Sequence, residues 1–467
     1  MKSFKLFVLF SFVLMSTIIS AQNRYDGLWT GTLSASGMEL QIYFEMNEAE
    51  QKALISIPMQ KVKDIESGTF SISGKKLSIV YPSFRVRYEG EYDDTLEEFV
   101  GEWIQGTSIP LNLKRTNEKA TIKRPQTPVE PYPYDVEDIT VNNSAAPKVN
   151  LAGTLTTPKG DGPFPLAILV SGSGRQNRNS EILGHQTFLV IADYLTRAGI
   201  AVLRYDDRGV GLSSGSHTKS TTADFASDTK AMYNYAKTLT KIDTTKIGII
   251  GHSEGGMIAP MIASENSDIG YIVSLAGPAV AIADLMTDQN VQIMEQLGMS
   301  KEGLEITNTS LPKIYGIVNQ DKEPKELFDT LIASVHGFYD TLSEEDQKLL
   351  SPNKASYYMQ LSQTFFTPWF RYFLAYDPTE SWQKTKCPVL AINGSEDIQV
   401  AAKMNTDAII SNLAIAGNMN AKVKILPGLN HLFQPCKKCN LAEYASIEKT
   451  FDEEALELIK DFILGLK

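Results

Sequence analysis

The chain has 467 residues, of which 43% are hydrophobic, 21% are charged and 9% are aromatic. This length and composition fit two or three globular domains and exclude a predominantly disordered chain. The formal net charge is −11 and no basic tract is present, which argues against a nucleic-acid partner.

The N-terminal segment has the pattern of a secretory signal peptide. A short basic stretch precedes a nearly unbroken apolar run, Leu6 to Ile19, which is too short to span a bilayer stably. Small residues follow, so we predict a signal peptide over residues 1–21, with cleavage between Ala21 and Gln22. The mature protein would then be exported, either periplasmic or secreted, without stable membrane insertion. An uncleaved membrane anchor is the alternative.

Residues 22–115 have the pattern of a small all-β domain. Apolar and polar side chains alternate with a period of two, as in residues 40–46, and turn residues separate the runs. Glycine and tryptophan recur together in residues 27–31 and 101–106, which favours a small closed barrel or a strongly curved sheet. We expect this domain to have a structural role, with substrate binding as the alternative.

The remainder of the chain has the pattern of an α/β domain. Residues 116–134 contain four prolines and no hydrophobic periodicity, which is typical of an extended linker. From residue 135 to residue 467, apolar strand-like runs alternate with amphipathic helical segments, so we predict a mostly parallel sheet covered on both faces. A helical, methionine-containing stretch over about 280–382 interrupts the alternation. We predict a lid there, with a peripheral helical decoration as the alternative.

A G-x-S-x-G motif lies at the end of one strand-like run. Residues 251–256 read Gly-His-Ser-Glu-Gly-Gly and directly follow an apolar run that ends at Ile250. The motif is typical of a nucleophile elbow, a sharp strand-to-helix turn that holds a serine above a sheet. The flanking glycines, Gly251 and Gly255, are expected where side chains would clash in such a turn. We therefore predict that Ser253 is a catalytic nucleophile.

A serine nucleophile needs a histidine base and an acid that orients the histidine. Of the five histidines, only His431 directly follows a strand-like run beyond the nucleophile. The side chain of His252, beside Ser253 in the elbow, is expected to be directed away from the site. The acid should follow the preceding strand, where Asp397 is the first choice and Glu396 the alternative. The chain order Ser–Asp–His is that of the α/β hydrolases.

An oxyanion hole needs two backbone N–H groups aimed at the developing negative charge. We predict that Glu254, the residue after the nucleophile, supplies one of them. The small residues 171–174, which follow an earlier strand, would supply the other, with Ser173 as the first choice and Gly174 as the alternative. A phosphate-cradling loop is the other interpretation of this stretch, but the spacing fits neither a P-loop nor a dinucleotide fingerprint.

Residues 206–211 form a second dense motif, Asp-Asp-Arg-Gly-Val-Gly, between a strand-like run and a helical one. We interpret this motif as a structural polar turn in which the acidic and arginine side chains bind backbone groups and each other. A role in substrate binding is the alternative.

The chain contains only three cysteines, Cys387, Cys436 and Cys439. The last two form a C-x-x-C pair, for which we favour a local disulfide over a free pair or half of a metal site. No second ligand pair is evident, and the serine mechanism that we predict needs neither a metal nor an organic cofactor.

Taken together, these motifs resemble the α/β-hydrolase superfamily, and in particular exported bacterial serine esterases that carry an N-terminal β domain. The motifs that carry the resemblance are the Gly-Ser-Gly of 172–174, the Asp-Asp-Arg-Gly-Val-Gly of 206–211, the elbow, the Gly-Ser-Glu-Asp of 394–397 and the Gly-Leu-Asn-His of 428–431. The N-terminal domain matches through its Gly/Trp strands and its Gln105-Gly106 turn. The resemblance implies carboxylesterase activity on short acyl chains, with Ser253, Asp397 and His431 as the catalytic triad.

Our leading hypothesis is a serine esterase that acts on a small-molecule ester through an acyl-enzyme. The same superfamily includes peptidases, so an exported serine aminopeptidase is the first alternative. Acidic residues of the insertion, Glu344, Glu345 and Asp346, could then bind the peptide N-terminus. The second alternative is a non-catalytic binding protein on a hydrolase scaffold, with the β domain as its working part.

Overall fold

A computed structural model describes residues 24–35, 38–60, 62–119, 123–351 and 353–466. These residues form two compact units that divide near residue 120. The predicted signal peptide, residues 1–21, lies outside the described residues. In the described ranges, no helix combines the length and the apolar character needed to cross a membrane.

The first unit is an antiparallel β structure, as the alternating pattern predicts. Its strands are β1 (Gly27–Ala35), β2 (Met38–Asn47), β3 (Lys52–Ile57), β4 (Val62–Glu66), β5 (Thr69–Ser73), β6 (Lys76–Tyr81), β7 (Val86–Asp93), β8 (Glu98–Gln105), β9 (Thr107–Pro110) and β10 (Leu113–Arg115). They join one sheet in the order β4-β3-β2-β1-β10-β8-β7-β6-β5, and β9 pairs with β8.

This sheet curves until its two end strands approach each other. The Ser67 amide donates to the Ala53 carbonyl of β3 at 2.9 Å, and the Gly68 amide donates to the Val80 carbonyl of β6 at 2.8 Å. The chain between β4 and β5 therefore bridges both ends of the sheet. The apolar side chains, including the fully buried Trp29, point into the enclosed core. The predicted all-β domain is thus confirmed as a strongly curved, barrel-like sheet.

The second unit is built on a mostly parallel sheet. Its strands are β11 (Asp135–Asn142), β12 (Asn150–Thr157), β13 (Phe164–Val170), β14 (Glu181–Ile182), β15 (His185–Gln186), β16 (Ala201–Tyr205), β17 (Ile242–His252), β18 (Tyr271–Leu275), β19 (Val389–Gly394) and β20 (Ala421–Leu426). The main sheet runs in the order β11-β12-β16-β13-β17-β18-β19-β20, and β14 and β15 form a separate hairpin. The six neighbouring strands β16, β13, β17, β18, β19 and β20 are parallel. Strands β12 and β11 pair antiparallel at one edge of the sheet.

Helices cover both faces of this sheet, as predicted. The helices are α1 (Thr187–Arg197), α2 (Thr222–Ala236), α3 (Glu254–Glu265), α4 (Ile282–Gln296), α5 (Lys301–Val318), α6 (Pro324–Thr341), α7 (Glu344–Leu350), α8 (Lys354–Phe365), α9 (Pro368–Ala375), α10 (Thr379–Lys384), α11 (Ala402–Ile415) and α12 (Glu453–Leu464). One apolar core joins the sheet to α2, α3 and α11, and a second joins its other face to α1 and α12. Because the parallel strands all end at one edge, the loops after them are brought together there.

Helices α4 to α10 fill the interruption between β18 and β19. They have a core of their own, which includes Val318, Leu331 and Val335. A smaller apolar cluster packs Leu285 of α4 and Phe373 of α9 against Met257 of α3 and other residues near the sheet edge. The insertion therefore contacts the helix that follows the elbow, which is the position required of a lid.

Candidate active site

Ser253 stands in a strained turn between β17 and α3. Its backbone has φ 55° and ψ −121°, a conformation that costs a non-glycine residue about 1–3 kcal/mol. A Cβ on Gly251 would lie 2.0 Å from the Gly255 carbonyl oxygen, and a Cβ on Gly255 would lie 2.2 Å from the Val170 carbonyl oxygen. The Ser253 amide donates to the Leu275 carbonyl at 2.9 Å, which ties the turn to β18. These contacts explain why the motif needs glycine on both sides of the serine.

His431 and Asp397 form a buried pair at the carboxyl ends of β20 and β19. The His431 Nδ1 atom lies 2.8 Å from Asp397 Oδ2. The other carboxylate oxygen, Oδ1, accepts hydrogen bonds from the Gln399 and Val400 amides at 2.8 and 2.9 Å. Glu396, the alternative acid, is exposed. The structure therefore brings Asp397, rather than Glu396, against the histidine.

The expectation that His252 is directed away from the site is wrong. Its ring lies 4.8 Å from the ring of His431, and both rings line the same cavity as Ser253. His252 Nε2 donates to the His431 backbone carbonyl at 2.9 Å, because a carbonyl oxygen can only accept. Burial, reinforced by the neighbouring His431, lowers the pKa of His252 to about 3. A neutral His252 thus supports the loop that carries the predicted base.

Residues 171–174, which we call the oxyanion loop because of their predicted role, pack directly against Ser253. A Cβ on Gly172 would lie 2.9 Å from the Cβ of Ser253. Ser173 lines the same cavity as Ser253, whereas Gly174 lines a small separate cavity behind the loop. Glu254 is the first residue of α3, where backbone N–H groups lack partners within the helix. This arrangement favours Ser173 over Gly174 as the partner of Glu254.

The Glu254 side chain has contacts that sequence reasoning missed. Its carboxyl group accepts hydrogen bonds from the Thr222 hydroxyl at 2.6 Å and the Ser173 hydroxyl at 2.8 Å. The indole N–H of Trp369, from α9, lies 3.0 and 3.1 Å from the two carboxyl oxygens. Burial raises the pKa of this carboxyl group. The one sequence signal for these contacts is an acidic residue at the start of an otherwise apolar, glycine-rich helix.

The turn at residues 206–211 is built from ion pairs and hydrogen bonds, as the structural interpretation predicts. The expectation that its own acidic and arginine side chains bind each other is wrong, because Arg208 pairs with aspartates of α2 and Asp206 pairs with Arg178. The buried Arg208 guanidinium binds Asp228, with 2.6 Å between Nε and Oδ2. The Asp207 carboxylate accepts a hydrogen bond from the hydroxyl of Ser171 in the oxyanion loop at 2.6 Å. Burial raises the pKa of Asp207 to about 7. The turn therefore supports the oxyanion loop.

Ser253 and His431 open onto one cavity of about 410 Å³, within the size range of small-molecule sites. Its other lining residues are Gly172, Ser173, Gln176, Ile182, Leu183, His252, Pro278, Leu285, Met286, Gln289, Trp369, Phe373, Gln399, Val400, Leu432, Leu441 and Tyr444. None of these described lining residues is Asp, Glu, Lys or Arg. The wall is mainly apolar, with three glutamines among its uncharged polar side chains, and α4 and α9 of the insertion contribute part of it.

Cys436 and Cys439 are joined in a disulfide, the interpretation favoured from their spacing. The Glu443 carboxylate accepts hydrogen bonds from backbone amides inside this short loop. Leu441 and Tyr444, directly after the loop, line the cavity. The disulfide therefore braces a wall of the site. Among the residues with described positions, no cluster of His, Cys, Asp or Glu side chains is arranged to hold a metal ion.

The sheet order, the elbow and the placement of the insertion define an α/β-hydrolase fold, which follows an N-terminal antiparallel β domain in the chain. Residues 185–330 match the family described as serine aminopeptidase, S33. This stretch contains Ser253 but ends before Asp397 and His431.

Proteins similar to this chain in sequence or in fold include esterases. The chain is 29% identical over 304 residues to Esterase EstD of Thermotoga maritima, a match that covers 65% of this chain and 61% of that protein. It therefore spans about three fifths of the length of that esterase. The solved structure of the Pyrococcus furiosus esterase Pf2001 is similar, with a TM-score of 0.44 and 16% identity over 75% of this chain and 99% of that one. Est1E from Butyrivibrio proteoclasticus, solved with ferulic acid, has a TM-score of 0.41 and 19% identity over 70% and 98% of the two chains.

Proposed function

We propose that the protein is a serine esterase that cleaves carboxylic esters through an acyl-enzyme intermediate. The observation that carries this proposal is that Ser253, in the elbow, lines the same cavity as His431, whose ring contacts the buried Asp397. These are the nucleophile, the base and the orienting acid that acyl transfer to a serine requires. The esterase relative supports the same reaction class.

In the proposed reaction, His431 Nε2 takes the proton of Ser253 as Oγ attacks the carbonyl carbon. Asp397 holds the Nδ1–H tautomer and stabilises the imidazolium that forms. The backbone N–H groups of Glu254 and Ser173 donate to the oxyanion. His431 then returns its proton to the leaving alcohol. Water, deprotonated by His431, attacks the acyl group, so that the carboxylic acid departs and Ser253 is regenerated.

The lining of the cavity favours esters over aminoacyl amides. An α-ammonium group bound there would lose its hydration without meeting an acidic side chain, which is costly. The acidic residues considered for this role do not line the cavity. Glu344 and Glu345 are exposed, and Asp346 is buried within the insertion, where it accepts hydrogen bonds from serines. We therefore propose uncharged ester substrates, with short acyl chains as the first group to assay.

The test compares the wild-type protein with Ser253→Ala on p-nitrophenyl esters from acetate to octanoate and on matched aminoacyl p-nitroanilides. We expect the variant to lose activity by about three orders of magnitude or more while it keeps its melting temperature. A Ser253→Ala protein with wild-type activity would refute the proposal. Faster turnover of the anilides would favour the peptidase, and a wild-type protein that a fluorophosphonate does not label would favour the binding protein.

We also propose that the protein is exported, with its signal peptide removed after Ala21. The N-terminal pattern supports this, and the Cys436–Cys439 disulfide fits an oxidising compartment. Mass spectrometry of the protein from periplasmic and extracellular fractions should find a mature chain that starts at Gln22. Recovery of the chain only in the cytoplasm with residues 1–21 intact would contradict this proposal.

A further inference from the structure

The Glu254 carboxyl group connects three segments whose relative positions matter for the proposed reaction. It lies directly after the nucleophile and accepts hydrogen bonds from the oxyanion loop, from the start of α2 and from α9 of the insertion. We propose that Glu254 is a positioning residue, a role that rests on the serine-hydrolase function proposed above. It holds the Ser173 N–H in the oxyanion hole and couples it to the cavity wall at Trp369.

The link to Ser173 acts on the second oxyanion donor. The Ser173 hydroxyl is fixed by Glu254 at 2.8 Å, and the Ser173 carbonyl accepts a hydrogen bond from the Gln176 amide side chain at 3.3 Å. The residue is thus held on both sides. Because the Glu254 N–H is the other predicted donor, one residue sets the position of both N–H groups relative to Ser253. Removal of the carboxyl group would free the Ser173 side of the hole.

The link to Trp369 reaches the substrate cavity. Its indole N–H is bound to Glu254, whereas its ring lines the cavity and stacks against Phe373 at 5.1 Å. An acyl or alcohol group that packs against this ring therefore packs against a side chain anchored at the oxyanion hole. We therefore expect the position of α9 to affect kcat as well as substrate binding.

The chemistry of the Glu254 site points to position rather than charge. In the described part of the chain, the carboxyl group has hydroxyl and indole donors but no ion pair with Lys or Arg. A neutral amide of the same shape could accept from the indole through its oxygen and donate its NH₂ to a hydroxyl, which can also accept. Glutamine should therefore keep the connections that alanine removes.

The experiment measures kcat and KM on p-nitrophenyl acetate and butyrate for Glu254→Ala, Glu254→Gln and Trp369→Phe. We expect Glu254→Ala to lower kcat by about 10- to 100-fold, because one oxyanion donor is displaced, with KM changed by less than about threefold. Glu254→Gln should recover most of that kcat, and Trp369→Phe, which keeps a ring but lacks the N–H, should fall between them. Asp346→Asn is the matched control, since it alters a buried carboxyl away from the cavity and should lower the melting temperature without changing kcat.

A folded Glu254→Ala protein with wild-type kcat would overturn the positioning role. A Glu254→Gln protein as slow as Glu254→Ala would overturn it as well, because charge rather than position would then matter. If Glu254→Ala does not fold, Trp369→Phe decides, and wild-type kcat in that variant refutes the coupling. These results are separate from the reaction class: an active Ser253→Ala protein refutes the esterase itself, whereas an inactive one beside a fully active Glu254→Ala refutes only the positioning role.

Discussion

Replacement of Asp397 by asparagine tests the predicted acid with almost no change in shape. In the wild-type protein, Oδ2 accepts the Nδ1–H of His431, and Oδ1 accepts the amides of Gln399 and Val400. The carbonyl oxygen of an asparagine can replace only one of these two oxygens. If it stays with the two backbone amides, its NH₂ faces His431 Nδ1, which must then accept. The proton of His431 then moves to Nε2, where it prevents the imidazole from taking the proton of Ser253.

The expected loss of activity follows from the free-energy cost of flipping the asparagine amide by about 180°. The turned amide would restore the correct tautomer, but its NH₂ would face the Gln399 and Val400 amides. Two buried N–H donors would then lack acceptors, at about 1–3 kcal/mol each. The wrong tautomer is thus favoured by roughly 2–6 kcal/mol, which corresponds to a loss of about 30-fold to 10⁴-fold in the active form.

The assay is kcat/KM on p-nitrophenyl acetate for Asp397→Asn beside Glu396→Gln. The Glu396 variant is the control, because it removes a neighbouring charge on an exposed side chain and should keep wild-type activity. Equal melting temperatures would show that both proteins are folded. An Asp397→Asn protein within tenfold of the wild type, or a Glu396→Gln protein with the larger loss, would refute the assignment of the acid.

Three further outcomes are expected. Gly255→Ala should destabilise the protein by several kcal/mol, because the new Cβ would lie 2.2 Å from a backbone carbonyl oxygen. The control is Gly337→Ala, since Gly337 lies in open space inside α6. This variant should gain about 0.5–1 kcal/mol of stability and melt at a higher temperature. Reduction of the Cys436–Cys439 disulfide should lower the free energy of unfolding by roughly 2 kcal/mol, since it closes a very short loop, as denaturant titration with and without a dithiol would measure. The depressed pKa of His252 means that the unfolded chain binds a proton below pH 6.5 that the folded chain does not. Stability should therefore fall as the pH is lowered, by up to about 2 kcal/mol between pH 7 and pH 5, and His252→Gln should lose less over this range. Equal losses in the two proteins would contradict the buried, neutral histidine.

Features that depend on local constraints could be predicted from the sequence. The elbow needs glycine at positions 251 and 255 because the backbone passes too close for a side chain, and an apolar run must precede it. The loops after β19 and β20 lie side by side because those strands are parallel neighbours. An acid and a histidine at the ends of these strands therefore meet, as Asp397 and His431 do.

Features that depend on side-chain direction or on contacts between distant segments could not be predicted. The direction of His252 depends on the loop that carries His431, which lies 179 residues away in the chain. The bond between Glu254 and Trp369 joins residues 115 positions apart. The periodicity of α9 indicates an apolar face but does not say that the indole N–H on this face meets a buried acid. The acidic residues considered under the peptidase alternative illustrate the same limit, since Asp346 forms helix-capping hydrogen bonds instead of facing the cavity.

The position of Glu254, beside a predicted oxyanion donor, raises an electrostatic conflict. The N-terminus of α3 carries a partial positive charge, which favours an oxyanion held beside the first N–H of the helix. A carboxylate on that same residue would oppose this effect and repel the developing charge. Burial raises the pKa of Glu254, which is the direction that lessens this opposition. Glutamine and alanine are both uncharged at this position, but only glutamine keeps the shape and the hydrogen-bonding groups of the side chain. The ratio of kcat between these two variants thus measures the contribution of geometry alone.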